Sequence, residues 1–138
     1  MTSESKEIAA VRAFVAAINR RDASLVCNLM TEDHTFVDSR GTVASGREGM
    51  EEGWREYFRM FPDYRVELGD LVQDGNLVAA FGSAAGTYNG RRGLVPENWI
   101  EMPAAWKAVV ADGKIKFWQV YADWTEGCRI IEEDGRAG

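Results

Sequence analysis

Ile8, Val11, Phe14, Val15 and Ile18 recur at three- and four-residue intervals, which lays one apolar stripe along a helix. The spacing predicts a helix from Glu4 to Arg21, with Ser3 or Ser5 as its cap and Glu7 in its first turn. A short second helix follows from Ala23 to Met30, with Leu25, Val26, Leu29 and Met30 facing inward. A third helical pattern runs from Arg47 to Phe61, placing Met50, Trp54, Tyr57, Phe58 and Phe61 on one side. Pro62 stops it.

The remaining pattern has a period of two. His34 to Asp38 reads as a short strand, Asp38-Ser39-Arg40-Gly41 as a turn, and Thr42 to Ser45 as its partner strand. Four long strands are predicted after the third helix: Tyr64–Gln73, Asn76–Asn89, Glu97–Ala111 and Lys114–Glu126. Asp74-Gly75-Asn76 and Asp112-Gly113 are hairpin turns. Gly82 and Gly86 mark where one long strand bends or bulges. The loop Asn89–Pro96 is the longest connection and the expected rim of a pocket. Helices first and long, twisting strands last describe an α+β domain, a curved sheet wrapped around helices. A single domain spans 1–138, with its core at about 6–126 and a tail, 127–138, expected to be partly disordered.

Composition narrows the function. With 138 residues, 46% hydrophobic and 28% charged, the chain suits one core. Five Trp and six Phe exceed what a minimal core needs and point to a rigid interior, a lined cavity or a subunit interface. The net charge of −6 and the lack of a basic run argue against nucleic acid and anionic membranes as partners. The first residues lack a signal-peptide pattern, and no apolar run approaches the roughly 20 residues of a membrane helix. Cys27 and Cys128 have no metal-type spacing and read as free thiols, which suggests a cytoplasmic protein. One histidine, no phosphate-binding loop and no dinucleotide fingerprint suggest no metal and no cofactor.

The segments Val11 to Asp22, Asp33-His34-Thr35-Phe36-Val37-Asp38, Gly46-Arg47-Glu48-Gly49 and Phe61-Pro62-Asp63 resemble the SnoaL-like branch of the nuclear transport factor 2-like superfamily. The likeness covers about residues 6 to 126. It implies a cone: a strongly curved, mainly antiparallel sheet with three helices on its concave face. Ketosteroid isomerases, limonene epoxide hydrolase and polyketide cyclases share that shape. By the same resemblance, Asp38 falls where ketosteroid isomerases hold their proton-shuttling carboxylate. Phe14 and Ala105 stand where that family has its two carbonyl-polarising donors, so no oxyanion hole is left for steroid isomerisation. Val120 occupies a carboxylate position of the epoxide hydrolase, which counts against that activity too. Asp123 matches the acid/base aspartate of SnoaL-like cyclases.

Each candidate has two readings. Asp38 is a pocket base or merely the first residue of its turn. Asp123 is a pocket acid/base or a solvent-facing strand-end residue. Strict alternation puts Trp118, Val120, Ala122 and Trp124 on one face and Tyr121 and Asp123 on the other, unless a bulge intervenes. His34 shares a face with Phe36 and Asp38 and is either an acid/base partner or a surface histidine. Tyr57, Trp54, Phe14, Trp106, Trp118 and Tyr121 are candidate ligand-binding residues, or else packing and dimer interface. Arg91-Arg92 could gate an anionic substrate or be solvated, and Glu101 is a lesser candidate.

These readings favour a cofactor-free enzyme of cyclase or isomerase type. It would act on a small hydrophobic carbonyl compound with Asp123 and Asp38 as acid/base groups, and form a homodimer through the sheet's convex face. The rival is a non-catalytic domain that binds a small hydrophobic ligand or serves only dimerisation.

Overall fold

The computed structural model describes residues 4–137. Ser3 as an alternative cap lies outside the described residues. Ser5 caps α1 (Lys6–Asn19), its side chain accepting from the Ile8 amide at 3.1 Å. Val11, Phe14, Val15, Ala17 and Ile18 form the buried stripe. Asn19 ends α1 and then holds it to the sheet. Its side-chain amide donates to the Val66 carbonyl at 2.9 Å and accepts from the Val66 amide at 2.8 Å. Asp22 caps α2 (Ala23–Asn28) through the Leu25 amide.

The strands are β1 (Met30–Val37), β2 (Val43–Ser45), β3 (Arg65–Asp74), β4 (Leu77–Thr87), β5 (Trp99–Ala111) and β6 (Lys114–Ala122). Between β2 and β3 lies α3 (Met50–Met60), and the chain closes with α4 (Thr125–Arg136). The sheet is open, in the order β2-β1-β6-β5-β4-β3. The β1–β6 pair is parallel and the other pairs are antiparallel. Along β5 every second residue from Ile100 to Val110 is buried, so one face of the sheet holds the core. Ala80, Ala84, Ala104 and Ala108 are buried on that concave face, and their small size leaves room between sheet and helices.

The bulge expected near Gly82 lies on the neighbouring strand. The β3–β4 register shifts between Leu68 and Leu71, opposite Gly82. A Cβ on Gly82 would sit 1.9 Å from the Glu67 carbonyl oxygen, so glycine here lets β3 swing in and bend.

Two further differences matter. The third helix starts at Met50 behind Gly49, which has φ +88°, not at Arg47. The last strand stops at Ala122, and the segment expected to be a partly disordered tail is α4, the fourth helix. Ile130 packs with Phe61, Ile100 and Met102, and Asp134 is buried. The ordering contact is polar. Asp134 accepts from the Arg91 and Arg92 amides at 2.7 and 2.8 Å and from Asn98 Nδ2 at 2.9 Å. A Cβ on Gly90 would sit 2.1 Å from an Asp134 oxygen, so glycine lets the loop backbone close around that carboxylate.

Candidate functional site

The concave side of the sheet and the helices enclose a cavity of about 750 Å³. Its floor is β5 and β6. Met102, Ala104 and Trp106 come from one strand, and Trp118, Val120 and Ala122 from the other. Trp106 and Trp118 stack with ring centroids 6.2 Å apart at 23°, giving a flat apolar wall. The α3 face supplies Trp54 and Tyr57, and Trp124 with Cys128 and Ile131 of α4 covers the mouth. The loop Asn89–Pro96, expected as the rim, lines none of this space. It docks α4 instead, and α4 is the rim.

The polar groups inside are few. Tyr57 lies against Tyr64, with ring centroids 4.9 Å apart at 86°. Burial pushes the Tyr57 phenol well above its ordinary range, and Tyr64 adds to the shift. Burial raises Tyr64 as well, with the neighbouring Tyr57 opposing the shift. Both phenols therefore stay protonated at neutral pH and can donate.

Asp38 lines the cavity at its mouth. Its Oδ1 accepts from the Arg40 and Thr42 amides, each at 2.9 Å. Turn residue and cavity residue are thus one and the same. The turn uses Oδ1, and Oδ2 has no protein partner among the described residues. Asp123 is elsewhere. No bulge reverses it, and it is exposed beyond the end of β6. It accepts from the Thr125 amide at 2.9 Å and the Thr125 hydroxyl at 2.6 Å, and these bonds lower its pKa. Its position suits a helix-start anion, in a shallow surface groove outside the cavity.

His34 is fully buried and does not line the cavity, so the expectation of a surface histidine also fails. The β1–β6 register shifts between Met30 and Thr35. There the His34 ring replaces a ladder bond, with Nδ1 2.6 Å from the Ile115 carbonyl. Its Nε2 is buried without a partner among the described residues, and burial lowers its pKa.

Of the six expected ligand-binding residues, Tyr57, Trp54, Trp106 and Trp118 line the cavity. Phe14 lies behind the wall, 4.9 Å from Trp118. Tyr121 is 49% exposed on the outer face. Alternation along β5 makes Ala104 the inward residue rather than Ala105, and neither offers a donor. Glu101 faces outward. Arg91 bonds the Gly135 carbonyl, and Arg92 bonds Asn98 Oδ1 at 2.6 and 3.0 Å, so neither gates the cavity.

The sequence reading missed Tyr64, Arg40 and Cys128. Tyr64 was legible as an aromatic seven residues after Tyr57, across the Phe-Pro-Asp stop. Cys128 was hidden with α4. Among the described residues no cluster of three or more His, Cys, Asp or Glu could hold a metal ion, and no helix is long and apolar enough to cross a membrane.

Comparison with known proteins places this architecture. No curated protein sequence matches the chain. Among solved structures, a protein with a ketosteroid isomerase-like fold from Catenulispora acidiphila, in complex with trimethylamine, is 20% identical. Its TM-score is 0.76, over 91% of this chain and 92% of that one. TerC, co-crystallized with polyporic acid, is 21% identical with a TM-score of 0.77 over 93% and 99%. An LEH-like epoxide hydrolase from M. tuberculosis is 18% identical with a TM-score of 0.75 over 96% and 93%. At these identities the likeness shows the fold alone. The family model for the SnoaL-like domain matches residues 11–118. The chain is a member of the SnoaL-like domain family.

Proposed function

We propose that the protein is a cofactor-free enzyme that moves a proton on a small hydrophobic carbonyl compound held in the cavity. The observation that carries this reading is the pairing of apolar walls with a phenol pair inside and carboxylates, Asp38 and Glu48, in the lining. An aromatic ring fits against Trp106 and Trp118, where desolvation favours binding. The Tyr57–Tyr64 pair donates to the carbonyl oxygen and strengthens as negative charge develops there. Asp38, through Oδ2, takes the proton from the adjacent carbon, leaving an enolate, and returns it to that enolate at another carbon. An isomerisation or a ring closure follows, according to how the cavity folds the ligand. Asp123 and His34 have no direct part in this reading, because neither reaches the cavity.

A second reading has its own support. Oδ1 of Asp38 serves the turn, as a purely structural aspartate would. A binding module would then hold the same ligands without chemistry. Calorimetric titration with 2-tetralone, paired with NMR detection of deuterium uptake at its α-carbons in D2O, separates the two. Binding with accelerated exchange supports the enzyme. Binding without exchange supports the module, and absence of binding rules out both.

We also propose that the outer sheet face pairs with a second copy of the chain. Phe81, Ala105 and Tyr121 are aligned across β4, β5 and β6. Phe81 is 47% exposed and Tyr121 49%. No element among the described residues covers this row, and self-association would bury it.

A further inference from the structure

We propose that the cavity selects ligands carrying an anionic group, a carboxylate or an acidic enol, and that Arg40 at its mouth reads that group. The inference rests on the cavity being a ligand site. Arg40 is the basic residue among those lining it; the acidic ones are Asp38 and Glu48. Asp38 is already satisfied at Oδ1 by two backbone amides, and among the described residues no ion pair joins it to Arg40. Arg40 itself is held by a weak acceptor. Its Nη2 donates to the Cys128 Sγ at 3.2 Å, and no carboxylate of the described residues pairs with it. Most of its forked donors are thus left for a planar oxyanion.

Of the nearby charges, Glu48 and Asp38 Oδ2 have no partner among the described residues, whereas those of the adjoining groove are committed. In the adjoining groove Asp123 is bonded to Thr125, and Arg129 is paired with Glu126 and Glu133. Glu132 lies near Arg136, at 3.8 Å. An apolar body against Trp106 and Trp118 with an acidic end toward the β1–β2 turn and α4 matches this layout. The backbone amide of Arg40, not its side chain, makes the turn, so the guanidinium is free for recognition.

The test compares 2-naphthoate with 2-naphthylmethanol, which share a ring and differ in charge, by calorimetry on the wild type and on Arg40→Gln. We expect Arg40→Gln to weaken 2-naphthoate about tenfold or more, as loss of a charge-assisted pair does. The affinity for 2-naphthylmethanol should stay within about twofold. Rising salt should weaken only 2-naphthoate in the wild type. Equal loss of both ligands, or no loss of either, overturns the inference while leaving the cavity as a ligand site. If neither compound binds the wild type, the cavity reading fails and the inference with it. Charge selection that persists when no proton transfer is found would contradict the catalytic reading alone.

Discussion

Asn98 at the foot of β5 and Asp134 on α4 are joined by a buried hydrogen bond, Nδ2 to Oδ1 at 2.9 Å. The same Asn98 amide donates to the Tyr88 and Gly93 carbonyls, and its oxygen accepts from Arg92. One buried side chain thereby ties the β4–β5 loop to the helix that roofs the cavity. Replacing it leaves several buried polar groups without partners. Asn98→Ala is expected to cost about 2–4 kcal/mol of unfolding free energy in urea titrations. Hydrogen exchange should speed up first in α4.

Acid should act on two groups in separate windows. Asp134 is held below its ordinary 3.8, chiefly by Asn98. A depressed carboxylate contributes its stabilisation fully above the unfolded value and loses it as pH falls through the folded value. That loss therefore falls below about pH 4. His34 is held below its ordinary 6.5 by burial. The unfolded chain binds its proton more readily, so stability declines as pH drops below about 6.5 and levels off below the folded value. Urea midpoints against pH should show both steps. His34→Gln should remove the upper one and Asp134→Asn the lower.

The thiols should differ in access. Cys27 is buried, and burial raises its pKa, with Glu51 adding to the shift. Cys128 is half-buried at the cavity mouth. Iodoacetamide should label native Cys128 at least about tenfold faster than Cys27, by peptide mass spectrometry. Saturating 2-tetralone should slow that labelling. Equal labelling with and without ligand would place the ligand away from α4.

The outer sheet face should set the oligomeric state. Light scattering is expected to report a dimer for the native chain and a monomer for the Phe81→Glu, Tyr121→Glu double variant, because like charges would be forced into an apolar contact. An unchanged mass in the variant would place any interface elsewhere.

The sheet and its inner face were legible because period-two patterning is strong in β5 and β6. Trp118, Val120 and Ala122 line the cavity as strict alternation requires. Asp123 falls just past the strand's end, where Thr125 holds it on the surface, against the resemblance that gave it a role near the last strand. What stayed illegible depends on buried polar partners. Asp134 and Asn98 look like surface residues in a sequence, and only the folded loop shows them paired. Gly127 and Gly135 weaken the helical pattern of α4, which hid the roof of the cavity and Cys128 with it. His34 was ambiguous because a single histidine carries no spacing, and its partner, the Ile115 carbonyl, exists only at a register shift.

The central claim is that Asp38 moves a proton on a ligand held in the cavity, and the Asp38→Asn variant tests it most directly. Asparagine keeps an Oδ1 that can accept from the Arg40 and Thr42 amides, so the turn survives while the basic oxygen is lost. The measurement is α-carbon deuterium uptake by 2-tetralone in D2O, with affinity followed in parallel. The account predicts that exchange falls by about 10²-fold or more while affinity stays within about twofold. Exchange at the wild-type rate in Asp38→Asn would contradict it.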